Sequence, residues 1–479
     1  MFLPDIIIKQ IIGYFINYKY FSFKYKLSLG TINRSIFQFI SKHVKALNIA
    51  GSLKEKEFKS LVTHINSPYC IIKSWDSLLY NFKSHTDVGS VDCINQLKWL
   101  CKSVTTVNLN VTPLLFAVSF NQSIFPNLKD LTINITCQLT IQPNLFPRLS
   151  RLSISLESYK MLSDFISILH CIRDTLEHLH ITLYSTNSVI QYSSYLELVE
   201  ELSKLNRNQL KHFTLNTTVA EICQFIRSFP MEILNNQIES LTELNITNPN
   251  NQYQFIFNEE TYKFFEYNTK LVSTSLNFDS PVLLIKFLKL INNKPHLLSL
   301  NIDLTVGILP GTETSKQIWP ELIYVRSLTY KSNSASEIDK FYAKKQNSLR
   351  SLDIQHPTIC RGPHKIVNFN SFISSNTSIE TFKLQIIDWQ DSHNILSIFS
   401  KNNTITELNI TINITISLKI KLDSISVQFL SITRYKSSHA MEILNPFTYN
   451  YTSGLTDYYY RPPIEKKNAS LLNKLFKRH

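Results

Sequence analysis

The chain has 479 residues, 43% apolar and 18% charged, with 49 Lys and Arg against 36 Asp and Glu for a formal net charge of +13. That apolar share excludes a disordered chain, and the length allows several domains or one long stacked repeat. No run of about 18 uncharged apolar residues occurs, so no helical membrane span is predicted.

The first forty residues form their own pattern. Leu3-Pro4-Asp5 leads into Ile7, Ile8, Ile11, Ile12 and Phe15 at helix spacing, with Asp5 in the first turn where the helix dipole favours it. Pro4, Asp5 and Lys9 interrupt the apolar run, which argues against a signal peptide and for a cytoplasmic or nuclear protein. The seven cysteines are scattered without a CxxC pair, as expected of reduced thiols. A second apolar group, Leu27, Leu29, Ile32, Ile36, Phe37 and Ile40, reads as a helix running into Asn33-Arg34. Residues 1–43 thus resemble an F-box, through Leu-Pro at the start, an Ile-rich first helix and the Leu-x-Leu segment. They depart from it after Arg34, where Ser35 and Ile36 stand in place of the common Trp. The resemblance implies that Leu3, Pro4, Ile7, Ile8 and Ile11 bind the adaptor of a cullin-type ubiquitin ligase by apolar packing. The alternative is a plain helical cap that shields the first repeat.

From residue 44 onward one phrase recurs, apolar-x-x-apolar-x-apolar. It stands at Val44-Leu47-Ile49, Val104-Val107-Leu109, Leu128-Leu131-Ile133, Leu149-Leu152-Ile154, Leu176-Leu179-Ile181, Leu210-Phe213-Leu215 and Leu241-Leu244-Ile246. It continues at Leu271-Thr274-Leu276, Leu297-Leu300-Ile302, Val325-Leu328-Tyr330, Leu349-Leu352-Ile354, Ile379-Phe382-Leu384, Ile405-Leu408-Ile410 and Val427-Leu430-Ile432. Twelve intervals from Val104 to Val427 give a mean period of about 27 residues, and only Thr274 breaks the apolar rule. The long gap after Val44 predicts one degenerate unit near Ile72–Trp75. The alternate apolar residues of each phrase fit a short strand. Helix stripes follow it, at Leu162, Phe165, Ile166 and Leu169, at Ile222, Phe225, Ile226 and Phe229, and at Val282, Ile285 and Leu288 behind Pro281. Each unit is therefore expected to be strand, turn, helix, stacked on its neighbours.

Residues 44–435 resemble the leucine-rich repeat family. That resemblance implies an α/β fold, a curved solenoid of about 14 to 15 irregular units with parallel strands inside and helices outside. It departs at the ninth position of each repeat. Asn stands there only at Asn333 and Asn413, and Thr replaces it at Thr112, Thr136, Thr218 and Thr305, so irregular turns are expected. The strict alternation from Leu408 to Leu422 suggests a hairpin or β-type cap. Residues 436–479 form an aromatic and basic tail: Tyr449, Tyr451 and Tyr458 to Tyr460, then Pro462-Pro463 and an amphipathic basic stretch from Leu471 to Phe476, expected to fray.

No phosphate-binding GxxxxGK[ST], GxSxG or HExxH occurs, so no catalytic set, cofactor or metal is predicted. The residues between the apolar positions are the geometric candidates for partner binding on the concave face: Arg151, Glu177, His178, His180, Lys211, His212, Glu243, Asn301, Arg326, Arg350 and Asp353, beside Lys129, Asp130, Glu380, Lys383 and Glu407. The three histidines could converge there, and their ordinary role is as solvated polar residues. The expected function is a non-enzymatic substrate receptor of a cullin-type ubiquitin ligase. An interaction scaffold without ligase attachment is the alternative. A nucleic-acid or acidic-surface binder ranks below both, because no basic-aromatic motif accompanies the charge.

Overall fold

The computed structural model describes residues 34–43, 46–50, 76–82, 103–111, 118–120, 125–135, 139–141, 146–156, 159–183, 192–217, 231–247, 259–278, 280–304, 318–356, 368–386, 402–412, 419–420, 429–434, 442–443, 447–452 and 455–460, with residues 8, 10, 12, 13, 60, 63, 67 and 399. The chain divides into two compact units, Met1–Leu241 with Asn248–Tyr253, and Thr242–Thr247 with Gln254–His479.

The first unit carries a ladder of parallel strands, β1 (Ala46–Ala50), β2 (Ser77–Phe82), β3 (Thr106–Val111), β4 (Asp130–Ile135), β5 (Arg151–Leu156), β6 (His178–Leu183) and β7 (His212–Thr217). The second carries β8 (Glu243–Thr247), β9 (Ser273–Phe278), β10 (Ser299–Leu304), β11 (Ser327–Ser332), β12 (Ser351–His356), β13 (Thr381–Ile386), β14 (Glu407–Ile412) and β15 (Phe429–Arg434). Both are α/β: parallel strands linked by segments that include helices.

The phrase sets the register. Val107, Leu131, Leu152, Leu179 and Phe213 stand opposite one another on successive strands, and Leu109, Ile133, Ile154, Ile181 and Leu215 form the next row. In the second unit the rows are Leu244, Thr274, Leu300, Leu328, Leu352, Phe382, Leu408 and Leu430, then Leu276, Ile302, Tyr330, Ile354, Leu384, Ile410 and Ile432. Because a strand turns alternate side chains to opposite faces, Val107, Leu131, Leu152, Leu179 and Phe213 in the first unit, and Leu244, Thr274, Leu300, Leu328, Leu352, Phe382 and Leu408 in the second, bury one face of each ladder and leave the residues between on the other. Thr274, the exception in the phrase, is buried, and its hydroxyl donates to the Leu244 carbonyl at 2.9 Å on the neighbouring strand. Thr274→Val is expected to cost about 1 kcal/mol in chemical denaturation, the net value of one such bond.

Each strand begins on a shared acceptor. The Thr105 carbonyl accepts from the amides of Lys129 and Asp130, Lys129 from Ser150 and Arg151, Ser150 from Glu177 and His178, and Glu177 from Lys211 and His212, over 2.8–3.2 Å. The second unit repeats this from Thr242 through Val272, Leu298, Arg326, Arg350 and Glu380.

A buried amide ladder lies just upstream, where each connection turns into its strand. Asn268, Asn376 and Asn402 stand three residues before the first apolar residue, and each Oδ1 accepts from the two backbone amides that follow, at 2.8–3.0 Å. Gln346 reaches back to the preceding repeat, accepting from the Leu322 amide and donating to the Pro320 carbonyl. Gln237 accepts from the amides of Gln209 and Leu210 and donates to the Asn206 carbonyl. Lys294 takes the same place in its repeat and donates to the Glu266 and Asn268 carbonyls. These groups satisfy backbone that the turn buries.

Several expectations are corrected. The strand of the degenerate unit expected near Ile72–Trp75 is β2, with Leu78 and Tyr80 opposite Leu47 and Ile49. The second N-terminal apolar group is helical over its latter part, α1 (Arg34–His43), while Leu27, Leu29 and Ile32 lie outside the described residues. Ile12, Ile36 and Ile40 are buried, and a Cβ on Gly13 would touch the Phe39 ring at 3.6 Å. Among the described residues, two connections show a short strand and no helix. Val118–Phe120 and Leu139–Ile141 pair in parallel after β3 and β4, where only 21 residues separate Lys129 from Ser150. The alternation from Leu408 is a ladder strand in its first half, and Lys419–Ile420 pairs in parallel with Glu442–Ile443 rather than folding into a hairpin. Period two marks any half-buried strand, so it could not separate these cases. An antiparallel hairpin does occur in the tail, Phe447–Thr452 with Leu455–Tyr460. Ile222 to Phe229, Asn413, Thr112, Thr136, Thr218, Thr305 and the residues after Tyr460 lie outside the described residues.

Helices cover the buried face: α2 (Tyr159–Ile172), α3 (Tyr192–Ser203) and α4 (Met231–Asn236) in the first unit, and α5 (Glu259–Tyr267), α6 (Pro281–Ile291), α7 (Ala335–Tyr342) and α8 (Phe369–Ser375) in the second. The α2 stripe of Leu162, Phe165, Ile166 and Leu169 is buried. In α6, Pro281 occupies the first turn, and Leu284, Ile285, Phe287, Leu288 and Ile291 are buried while Val282 is exposed. Rings join the second unit's repeats: Trp319, Tyr330 and Phe341 meet one another, Phe341 meets Phe372, and Phe369 meets Phe382 and Phe399.

Candidate binding face

The strand faces opposite the cores present the residues between the apolar positions. In the first unit, the row at the start of the strands reads Asp130, Arg151, His178, His212, each the register partner of the next. Arg151 is exposed, whereas His178 and His212 are half-buried with ring centroids 4.1 Å apart and a tilt of 32°. The row beside it runs Thr132, Ser153, His180 and Thr214. His180 Nε2 lies 3.0 Å from Asn216 Nδ2 and 3.2 Å from Thr182 Oγ1. Since the Asn216 amide nitrogen can only donate, Nε2 accepts, and the ring is neutral in this arrangement.

Electrostatics on this patch favour neutral imidazoles. Burial first, then the neighbouring His212 and Arg151, push His178 down to about 4. Burial also holds His180 below the ordinary imidazole value. Glu177 accepts from Lys211 at 2.9 Å, which keeps its carboxyl below the usual range. Asp130 moves the other way: burial raises it, and Arg151 opposes the rise. His178 therefore binds protons less readily folded than unfolded. Its contribution to stability is complete above about pH 6.5 and fades as pH falls toward about 4. Solvent screening reduces the effect to about 1 kcal/mol. Equilibrium unfolding at pH 7 and pH 4.5 is expected to show a smaller loss in His178→Gln, and an NMR titration of the wild-type ring locates the transition.

The second unit presents a more neutral face of Ser, Thr and Asn with separate ion pairs. Asn245 donates to Glu243 at 2.7 Å, Asn409 to Glu407 at 2.9 Å, and Lys331 to Asp303 at 2.5 Å. Asn301 is exposed. Arg350 reaches Glu380 at 3.4 Å, and Arg326 is exposed one repeat away. Burial raises the Asp353 carboxyl, against a hydrogen bond from Gln355 at 3.3 Å and the charge of Lys383. The structure thus brings Arg151, His178 and His212 into one row and pairs Glu177 with Lys211. It leaves Asn301 and Asp353 on a separate ladder. Of the head residues, Ile8 is helical and half-buried, while Leu3, Pro4, Ile7 and Ile11 lie outside the described residues.

Inspection of the sequence missed the Asp303–Lys331 pair, whose signal was two opposite charges at equivalent repeat positions. Among the described residues, no group of three His, Cys, Asp or Glu side chains converges as a metal site, and no helix is long and apolar enough to cross a membrane. Cys171 is a free thiol. Comparison with family models finds none that matches the chain, and comparison with curated proteins finds no match.

Proposed function

We propose that this protein is a non-enzymatic substrate receptor, a leucine-rich-repeat solenoid whose strand face binds a protein and whose F-box-like head binds the adaptor of a cullin-type ubiquitin ligase. The observation that carries the binding half is the ladder itself. Rows of polar side chains are held in register over adjacent strands, on a frame whose apolar rows are buried. Such a face can present contacts with little ordering cost. The ligase half rests on Leu3-Pro4 and the Ile-rich segment behind it. In that role the chain acts by position, raising the local concentration of its target near the transferring enzyme.

A scaffold without ligase attachment is the second reading. It is favoured by the burial of Ile12, Ile36 and Ile40, which a head serving only as a cap would also show. Affinity capture of the full chain from cells separates the two. Recovery of adaptor and cullin, lost in an Ile7→Asp/Ile11→Asp variant, is the expected result. Recovery of neither leaves the scaffold.

A further inference from the structure

The row Arg151, His178, His212 points to the kind of partner, and this step rests on the reading of the strand face as a binding surface. Arg151 is exposed, and its guanidinium makes no hydrogen bond or ion pair among the described residues. Its register neighbour His178 touches the His212 ring, so three groups able to donate to an anion stand side by side on adjacent strands. At about 4.8 Å per strand they span roughly 10 Å, the separation of two carboxylates three residues apart on an extended peptide. Other charges limit what fits. Lys211 is engaged by Glu177, Asp130 flanks Arg151, and Lys129 lies at the edge. His180, in the next row, is occupied by Asn216 and Thr182. The carboxylates of Asp130 and Glu177 would repel a continuous polyanion but leave room for separate acidic side chains.

We propose that Arg151, His178 and His212 form an anion-binding row for an acidic segment of a protein partner, with its carboxylates on the guanidinium and the imidazoles. Binding then draws a proton onto His178, because a carboxylate beside it offsets the loss of solvent and the charge of Arg151 that keep it neutral. Affinity rises as pH falls from 7.5 to 5.5, a range in which the peptide's glutamates stay ionised.

The test is fluorescence polarisation of the full chain with a labelled octapeptide, Ser-Glu-Ser-Ser-Glu-Ser-Ser-Glu, whose glutamates stand three residues apart, against its Glu→Gln counterpart and a single-stranded oligonucleotide. The Glu peptide is expected to bind about tenfold more tightly at pH 5.5 than at pH 7.5. Arg151→Ala is expected to weaken it about tenfold. His178→Gln/His212→Gln is expected to remove the pH dependence, and a pH dependence retained in that variant overturns the proposal. Circular dichroism confirms that each variant is folded. No preference for Glu over Gln, indifference to Arg151→Ala, or tighter binding of the oligonucleotide overturns the proposal. The ligase reading is judged separately by adaptor capture, which does not involve these strands. Partner capture abolished by substitutions elsewhere on the face but untouched by Arg151→Ala would refute this row alone.

Discussion

Phe341→Ala is expected to be among the most damaging single changes, destabilising the second unit by about 3 kcal/mol, the low end of the range for a buried Phe. Phe341 is fully buried in α7, and its ring meets Trp319 at 5.2 Å, Tyr342 and Phe372 at 5.6 Å and Tyr330 at 5.9 Å. Truncation removes contacts to Tyr342 on the same helix and to three aromatic side chains outside it, so the loss spreads across repeats. The low end is expected because the neighbouring Trp319 carries a buried Nε1 that has no hydrogen-bond partner among the described residues. A cavity bordered by such a group admits water that can bond to it, unlike a wholly apolar void. Phe341→Leu keeps most of the volume and is expected to cost about 1 kcal/mol. Urea denaturation followed by Trp fluorescence measures both. A loss below about 1 kcal/mol for Phe341→Ala would show that the ring cluster does not couple the repeats.

Asn402→Leu is expected to cost about as much for the opposite reason, stranding polar groups rather than opening space. Asn402 is buried, and its Nδ2 donates to the Ile373 and Asn376 carbonyls at 2.7 and 2.9 Å. Its Oδ1 accepts from the Thr404 and Ile405 amides at 2.8 and 2.9 Å. Leucine fills similar volume and leaves the Thr404 and Ile405 amides unpaired, each worth about 1–3 kcal/mol when it cannot reach water. The Ile373 and Asn376 carbonyls keep only longer bonds, from the Asn376 amide and the Thr404 hydroxyl at 3.4 Å. Partial relaxation toward solvent brings the expected total to about 3 kcal/mol. Asn402→Asp keeps both accepted bonds and loses both donated ones, so its cost is expected to fall when the carboxyl is protonated at low pH. Hydrogen exchange at Thr404 and Ile405 is the local readout. Unchanged protection in Asn402→Leu would mean that the side chain does not hold this turn.

The ladder was legible in the sequence because a strand ties side-chain alternation to a face. Once Leu300 and Ile302 are matched to Leu328 and Tyr330, the register and the exposed rows follow. The strand at β2 was legible only as a neighbourhood, because Leu78 and Tyr80 sit among other apolar residues that allow more than one register. The amide ladder escaped notice for another reason. Its position holds Asn268, Lys294, Gln346, Asn376 and Asn402, and the aromatic Phe125 and Phe146 in the first unit, so no single residue type fills it throughout. What is shared is a task, closing the turn before the strand, which side chains of different chemistry perform by different bonds. The histidine cluster was visible as three residues at outward positions. That His178 would touch His212 while His180 would bond Asn216 depended on the register between β6 and β7.

The shared carbonyl at the start of each strand bears on how such a chain can change length. The step from a shared carbonyl to the first amide it receives is as short as 21 residues, Lys129 to Ser150, and as long as 34, Glu177 to Lys211, yet both deliver the next strand into the same alignment. Alignment is thus decided where the chain rejoins the ladder, not by how far it travels in between. Doubling a flexible excursion costs only about 0.6 kcal/mol in closure entropy. Insertions and deletions in these excursions should therefore pass with little penalty while the exposed rows stay in step, so connections can drift in length while the binding face changes one side chain at a time.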